Sequence, residues 1–274
     1  MAITAQEVNK LRQQTGAGMM DCKKALEENN GDFEQAVDYL RKKGAKVAAN
    51  RGDRESKEGV VLAKTSADNK RGILIWINCE TDFVAINADF IAFADSVATI
   101  ALEKGANTKE EVMNLPYNND IKVSDKFMEQ VGKIGEKIEI GYFEVITAEK
   151  VAAYIHPGNR VSVIVGFNQD VDSEVGRNVA MQAAAMAPVA LDKEGVTPAM
   201  LERELEIARE VIRAEGKPED MVEKIAQGKI AKFYKESTLL NQEYIKDNKM
   251  NVAQYLQSVN KTLTATAFKR YSLS

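Results

Sequence analysis

The chain has 274 residues, enough for two or three modules with cores of their own. Its 37 Lys and Arg against 41 Asp and Glu give a net charge of −4, which argues against a general nucleic-acid binder, because such proteins need a large cationic excess. No apolar run approaches the roughly 20 residues that span a bilayer, no hydrophobic signal core follows Met1, and Cys22 and Cys79 form no CxxC pair, so we expect a cytoplasmic protein with reduced thiols.

Three short helices are predicted at the start of the chain. Thr4 and Glu7 have the spacing of a capping box for the first helix. Asp32 can cap the third helix, and Gly44 is expected to end it. Residues 1–44 are therefore predicted to form a three-helix bundle of the ubiquitin-associated type, with a small core.

The next segment, residues 45–58, alternates basic and acidic residues without an apolar stripe and is predicted to be a linker with some helical start. Two apolar, β-branched runs then flank Asp68-Asn69-Lys70, which predicts a β-hairpin. From Asn87 the apolar residues recur with the period of a helix, at the spacing of a helix laid on a sheet. We assign residues 59–148 to the N-terminal subdomain of a core.

The order of hairpin and helix then repeats. A second hairpin is predicted around Gly158-Asn159, followed by a helix from about Asp172 to Ala187. A short helix and a last strand between Asn251 and Ser274 would complete this sheet. Residues 149–190 and 237–274 therefore form a predicted C-terminal subdomain of a duplicated α+β core.

Residues 191–236 are predicted to form an antiparallel helical hairpin inserted into that subdomain. Thr197-Pro198 begins the first helix, and Gly216-Lys217-Pro218 separates it from the second. Leu201, Leu205, Ala208 and Ile212 give the first helix one apolar face, and Met221, Ile225, Ile230 and Phe233 belong to the second helix. A helical pair cannot bury both faces alone, so we expect a dimer or partner contact here.

Motifs for chemistry on small molecules are missing from the sequence. There is no phosphate-binding GxxxxGK[ST] motif, and Gly16-Ala17-Gly18 lacks the third glycine and the preceding strand of a dinucleotide fingerprint. A single histidine leaves little for a zinc cluster or for histidine-based acid–base catalysis. We expect no cofactor, no metal site and no catalytic residues, and we expect a protein that acts by binding.

Two segments resemble the signatures of the elongation factor Ts family. They are LRQQTGAGMMDCKKAL (Leu11 to Leu26) and INCETDFVAIN (Ile77 to Asn87), and they stand in the order expected for that family. The resemblance implies a guanine-nucleotide exchange factor for elongation factor Tu in protein synthesis. It implies binding to the GDP-bound and nucleotide-free partner, and it implies no enzymatic step.

The stretch Thr81-Asp82-Phe83-Val84 has two interpretations. From the residues alone, Asp82 is a turn residue and Phe83 a core side chain; alternatively, the stretch is a loop tip that offers a carboxylate beside an aromatic wedge. The resemblance favours the tip, because this stretch in the family reaches into the G domain of elongation factor Tu near the bound magnesium. Magnesium tolerates only near-octahedral coordination, so small displacements would loosen it.

The resemblance implies a second contact through the N-terminal bundle. Met19 and Met20 are adjacent at a helix start, so they cannot both face one core, and methionines suit an adaptable protein surface. Leu11, Arg12 and Thr15 are secondary candidates for the same contact.

His156 has two interpretations, as a turn residue before Pro157 or as a weak partner contact that the resemblance implies. The helical hairpin is similar to the family's dimerisation subdomain, which implies a homodimer or a two-to-two complex. The resemblance implies no direct contact with nucleic acid and none with membranes. An alternative function is a passive adaptor, because ubiquitin-associated bundles bind partners without changing nucleotide kinetics; an enzyme with an unrecognised site is a third hypothesis.

Overall fold

The structure is a computed structural model that describes residues 3–118 and 121–273. Its helices are α1 (Ala5–Thr15), α2 (Met19–Glu28), α3 (Phe33–Asn50), α4 (Asp82–Ala85), α5 (Ala88–Glu103), α6 (Lys109–Asn114), α7 (Val123–Ile134), α8 (Ser173–Met186), α9 (Pro198–Ala214), α10 (Glu219–Ser237) and α11 (Val252–Val259). Its strands are β1 (Glu58–Thr65), β2 (Arg71–Cys79), β3 (Glu139–Thr147), β4 (Lys150–Ile155), β5 (Val161–Phe167), β6 (Glu243–Tyr244), β7 (Asp247–Asn251) and β8 (Ala265–Ser272). No helix within these residues is both long and apolar enough to cross a membrane.

The three N-terminal helices are confirmed, and local chemistry explains their starts. The Thr4 amide donates to the Glu7 carboxylate at 2.7 Å, and the Glu7 amide donates to the Thr4 hydroxyl at 3.3 Å, which completes the capping box. The Gln35 amide donates to the Asp32 carboxylate at 3.0 Å and caps α3. The bundle closes around a small apolar core of Val8, Leu11, Ala17, Cys22, Ala25, Leu26 and Ala36.

The predicted end of α3 at Gly44 is wrong, because this helix continues to Asn50. Gly44 is buried inside the helix, and a Cβ there would collide with the Met128 carbonyl of α7. Gly132 faces it from α7, where a Cβ would lie 3.2 Å from Gly44 Cα. Because neither glycine has a side chain, the backbones of α3 and α7 approach each other closely at this crossing. The helical start expected for the linker at 45–58 is present, because residues 45–50 continue α3.

Two three-stranded antiparallel sheets form the core, in the orders β1-β2-β3 and β4-β5-β8. Both predicted hairpins are confirmed, and each turns at an asparagine in the left-handed region, Asn69 with φ 54° and Asn159 with φ 56°. The predicted last strand is β8, which pairs with β5 as expected. The prediction for that segment extended to Ser274, which lies outside the described residues.

The two sheets pack on each other, and helices cover their outer faces. Along β2, Ile73, Ile75 and Ile77 face the helices of the first subdomain, whereas Leu74 faces the second sheet. The inter-sheet layer also contains Ile164 of β5. Both faces of these strands are buried, which explains why their sequences are nearly continuous apolar runs instead of alternating patterns.

The helices after each hairpin are confirmed. The Asn87 side chain caps α5, and the predicted stripe of Phe90, Phe93, Ala94, Val97 and Ala101 is buried against the first sheet. The Asp172 side chain caps α8, which packs on the second sheet. The protein has an α+β fold with two similar units, each made of a hairpin, a helix and a third strand.

The inserted helices α9 and α10 are confirmed with their start at Thr197-Pro198. Their shared core consists of Leu205, Ala208, Ile212, Val222, Ala226 and Ile230. All four residues assigned to the second helix lie in α10; Ile230 is buried in the shared core and Ile225 packs against it, whereas Met221 is 45% exposed.

A short neck joins this hairpin to the core. A parallel bridge pairs Ala190 with Thr238, and the Leu239 amide donates to the Ala190 carbonyl at 2.9 Å. One residue before each member of that bridge, the Val189 amide donates to the Ser237 carbonyl at 2.8 Å. The chain therefore leaves and re-enters the core at adjacent points.

Candidate functional site

The stretch Thr81-Asp82-Phe83-Val84 lies at the end of β2 and forms a projecting tip. Thr81 caps the single-turn helix α4, with the Val84 amide 3.4 Å from its hydroxyl. Asp82 is exposed, and Phe83 is 80% exposed. The interpretation of Phe83 as a core side chain is therefore wrong, and the geometry matches a tip with an aromatic side chain beside a carboxylate.

The base of the tip is tied to α3 through Glu80. Both Glu80 carboxylate oxygens lie 2.8 Å from an Arg51 guanidinium nitrogen, and Glu80 Oε1 also accepts the Lys137 amide at 2.7 Å. Burial acts to raise the pKa of Glu80, but the Lys137 amide and Arg51 outweigh it, and the pKa is lowered. Glu80 is therefore a charged anchor at neutral pH.

Cys79 closes the end of β2 beneath the tip. Its thiol donates to the Thr81 carbonyl at 3.1 Å, and its side chain is buried in the core of the first subdomain. Burial, with a smaller effect of the Glu136 charge, raises the pKa of Cys79 to about 12. The thiol is therefore a protonated donor and an unreactive one, as is expected for a structural cysteine.

The turn between α1 and α2 carries the second predicted contact. Gly16 ends α1 in the left-handed conformation with φ 69°, which lets the chain reverse before Met19. Met19 is 52% and Met20 76% exposed.

The secondary candidates of the bundle separate in the structure. Arg12 is exposed, and Thr15 is half-buried with its hydroxyl donating to the Leu11 carbonyl at 2.8 Å. Leu11 itself is fully buried in the bundle core, so its prediction as a contact residue is wrong. Leu11 and Arg12 are adjacent in the sequence, and the helical pattern alone does not show which of them lies on the buried face of α1.

Lys133 of α7 connects the turn to the tip. Its stem packs under Gly16, where a Cβ would lie 3.2 Å from Lys133 Cδ, and its ammonium pairs with Asp89 at 3.1 Å. A surface groove of about 250 Å³ lies beside it, lined by Phe83, Val84, Asn87, Asp89, Lys133 and Ile134. The structure thus brings the predicted bundle contact and the predicted tip to one side of the molecule.

His156 lies exposed at the turn between β4 and β5, where its Nδ1 is 3.0 Å from the Tyr154 hydroxyl. Arg160 of the same turn pairs with Glu58 at 2.6 Å. The pKa of Arg160 is raised by that hydrogen bond and by the charges of Glu58 and Asp82. Glu58 lies opposite Cys79 in the register of β1 and β2, so the turn between β4 and β5 reaches the end of the first sheet from which the tip emerges.

Comparison of the sequence with known proteins identifies the family of this chain. The family model described as "Elongation factor TS" matches residues 80–274. The curated protein "Elongation factor Ts" of Christiangramia forsetii is 54% identical over 273 residues, which cover 99% of this chain and 98% of that protein. Those of Flavobacterium psychrophilum and Cytophaga hutchinsonii are 52% and 50% identical over 99% of this chain.

The chain belongs to the elongation factor Ts family. Membership makes it an elongation factor of translation. The family model begins at Glu80, directly before the tip, whereas the full-length relatives also match the N-terminal bundle.

Some residues around the tip were not anticipated from the sequence. Ile86 is 76% exposed one turn beyond Phe83, and its place in INCETDFVAIN was the only signal for it. Lys133 and Glu136 belong to a part of the chain for which no element was predicted. Within residues 3–118 and 121–273, no group of three or more His, Cys, Asp and Glu side chains is arranged to hold a metal ion.

Proposed function

We propose that the chain is a guanine-nucleotide exchange factor that binds elongation factor Tu in its GDP-bound and nucleotide-free forms. The observation that carries this proposal is Phe83, 80% exposed on an anchored tip beside Asp82 in a member of the elongation factor Ts family. An aromatic side chain of that exposure has little reason to face water unless a partner covers it.

Exchange proceeds without covalent chemistry on this chain. The tip enters the partner near its magnesium, where Phe83 displaces helices and the Asp82 carboxylate disfavours the arrangement that holds the metal and the phosphates. Linkage requires that GDP weakens the partner's affinity for this chain by the same factor that this chain weakens its affinity for GDP. Exchange therefore passes through a ternary complex, and incoming GTP expels the factor. The chain needs no direct nucleic acid or membrane contact, and it works in the cytoplasm.

Met19 and Met20 extend the contact, with Arg12 and Thr15 at its edge. Both methionines are exposed and adaptable, and Lys133 places their turn on the side of the tip. His156, at the turn between β4 and β5 of the second sheet, is a weaker contact.

We also propose that the helical hairpin supports a homodimer or a two-to-two complex. Ile207 and Val211 lie four residues apart on one face of α9 and are 45% and 43% exposed, and Met221 of α10 is 45% exposed. An apolar face of this kind is covered at low energetic cost by a second copy. Sedimentation of the chain alone and with its partner tests this point; a strictly monomeric, one-to-one species would contradict it.

Stopped-flow release of a fluorescent GDP analogue from elongation factor Tu tests the exchange function. Catalytic amounts of the chain should accelerate release strongly, and Phe83→Ala or Asp82→Ala should slow it about tenfold or more, as for an interface hot spot. Val259→Ala, which truncates another exposed apolar residue, 48% exposed on α11, is the control and should exchange at the native rate.

Two outcomes would contradict the proposal. Binding without acceleration would support the alternative function, a passive adaptor. Native exchange by the double variant of Asp82 and Phe83 would remove the tip from the mechanism.

A further inference from the structure

The end of α7 contacts both the N-terminal bundle and the tip. Gly132 touches α3 at Gly44, Lys133 lies under the turn at Gly16, and Ile134 lines the groove beside Phe83. Three consecutive residues thus reach the bundle on one side and the tip on the other.

Glu136, just beyond α7, holds the backbone of the tip. Its Oε2 accepts the amides of Glu80 at 3.0 Å and Thr81 at 3.1 Å, and its Oε1 accepts the Thr81 hydroxyl at 2.7 Å. Both carboxylate oxygens are therefore used, and all three donors belong to the residues that lead into α4. Hydrogen bonds to a charged acceptor are the stronger ones in proteins.

The tip depends on such external bonds. α4 spans only Asp82–Ala85, and a single turn of helix is not stable by itself because nucleation is unfavourable. Asp82 and Phe83 are exposed, so their own side chains contribute little to fixing their position. The orientation of Phe83 is therefore set by residues at the base of the tip, which do not need to contact the partner.

We propose that Glu136 is a positioning residue for nucleotide exchange. It holds the Thr81–Val84 tip against the end of α7, which also carries the bundle turn, so that the two contacts meet the partner in one arrangement. This inference rests on the proposed exchange function. It assigns a role to a glutamate that lies outside both signature segments.

The test measures exchange as a function of factor concentration. Glu136→Ala should lower the maximal rate of GDP release at least fivefold, because a misplaced Phe83 is lost from the mechanism. In a chain that already carries Asp82→Ala and Phe83→Ala, Glu136→Ala should cause little further loss, since Glu136 acts through the tip that carries those two residues. Glu136→Gln should retain most of the activity, because its amide oxygen can accept the two N–H groups and its amide nitrogen can donate to the Thr81 hydroxyl.

A matched control and a second variant keep the test independent of folding. Asp125→Asn weakens the cap at the opposite end of α7, where the Asp125 carboxylate accepts the Lys122 amide at 3.0 Å, and should exchange normally. If Glu136→Ala does not fold by circular dichroism, Thr81→Val takes its place, because it keeps the side-chain shape and removes the 2.7 Å hydroxyl bond to Glu136, together with the longer 3.4 Å cap to the Val84 amide.

Three results would overturn the inference. The first is native exchange by the Glu136→Ala or Thr81→Val chain. The second is a further loss of rate when Glu136→Ala is added to the chain with Asp82→Ala and Phe83→Ala. The third is a Glu136→Gln chain as slow as Glu136→Ala, which would assign the role to charge. Native exchange by Phe83→Ala alone would instead contradict the proposed function of the tip.

Discussion

Two residues of the N-terminal bundle that the sequence assigned to one partner contact have opposite roles. Leu11 is fully buried, whereas Met20 is 76% exposed. Leu11→Ala should destabilise the bundle by about 3 kcal/mol, because it leaves a cavity. Met20→Ala should change stability by less than about 0.5 kcal/mol and should instead weaken partner binding. Thermal unfolding and calorimetric titration with elongation factor Tu measure the two effects; a Met20→Ala chain that unfolds early and binds normally would reverse the assignment.

Cys79 gives the native state a pH dependence. Its folded pKa of about 12 lies above the ordinary value of 9.0, so the folded state binds the proton more tightly than the unfolded chain. The resulting contribution is fully present below pH 9 and is lost as pH rises from about 9 towards 12. Urea unfolding along this range should show stability falling with pH, and less steeply for Cys79→Ala. An equal slope for both chains would contradict the role of this thiol.

At the scale of elements, the crossing of α3 and α7 sets where the bundle sits. Gly44→Ala would press a methyl group into the Met128 carbonyl and should cost about 1–3 kcal/mol, with partner binding weakened as the bundle shifts. Gly228→Ala is the control, because a Cβ there meets nothing within 4 Å on α10. It should be stabilising by up to about 1 kcal/mol. Denaturant titration compares the two; equal effects would mean that helix propensity alone decides.

The elements that the sequence predicted are those with a local signal. Capping at Thr4 and Asp32, the turn at Asn69 and the stripe after Asn87 are written within a few residues, and each was confirmed. The end of α3 was not, since the role of Gly44 depends on Gly132 of a distant helix. Helices α6 and α7 and strand β3 had no prediction; the two helices lie between residues 107 and 136, where the resemblance thins.

The candidate site divides in the same way. The exposed residues of the tip lie within one recognisable segment, so they could be found from the sequence. Their anchors could not, because Arg51 and Glu136 reach the tip only in the folded chain. Whether Leu11 or Met20 faces outward was likewise decided by how three helices pack.

At the scale of the whole molecule, we propose that residues 1–44 remain the N-terminal unit, with α3 extending it to Asn50 and replacing the start of the linker at 45–58. The core subdomains stay at 59–148 and at 149–190 with 237–274, and the hairpin at 191–236. Separate apolar clusters in the bundle, in each subdomain and in the hairpin support this division.

An aromatic stack joins the two subdomains. Tyr271 of β8 lies between Trp76 at 5.0 Å and Tyr142 at 4.6 Å between ring centroids. Tyr271→Ala should lower the stability of the core by about 2 kcal/mol, since it removes two aromatic contacts and buried area. Trp76 is the single tryptophan, so its fluorescence in a urea titration reports this transition. An unchanged midpoint would mean that the stack adds nothing to the inter-sheet contact.

The neck at Ala190 and Thr238 has a consequence for how such a chain can vary. Because the hairpin begins and ends at one place, its length changes the free energy of folding of the core mainly through the entropy of closing a loop. That entropy grows with the logarithm of loop length, and a doubling costs roughly 0.6 kcal/mol. Relatives can therefore lengthen, shorten or lose the hairpin while the sheets, and the tip that they carry, keep their geometry.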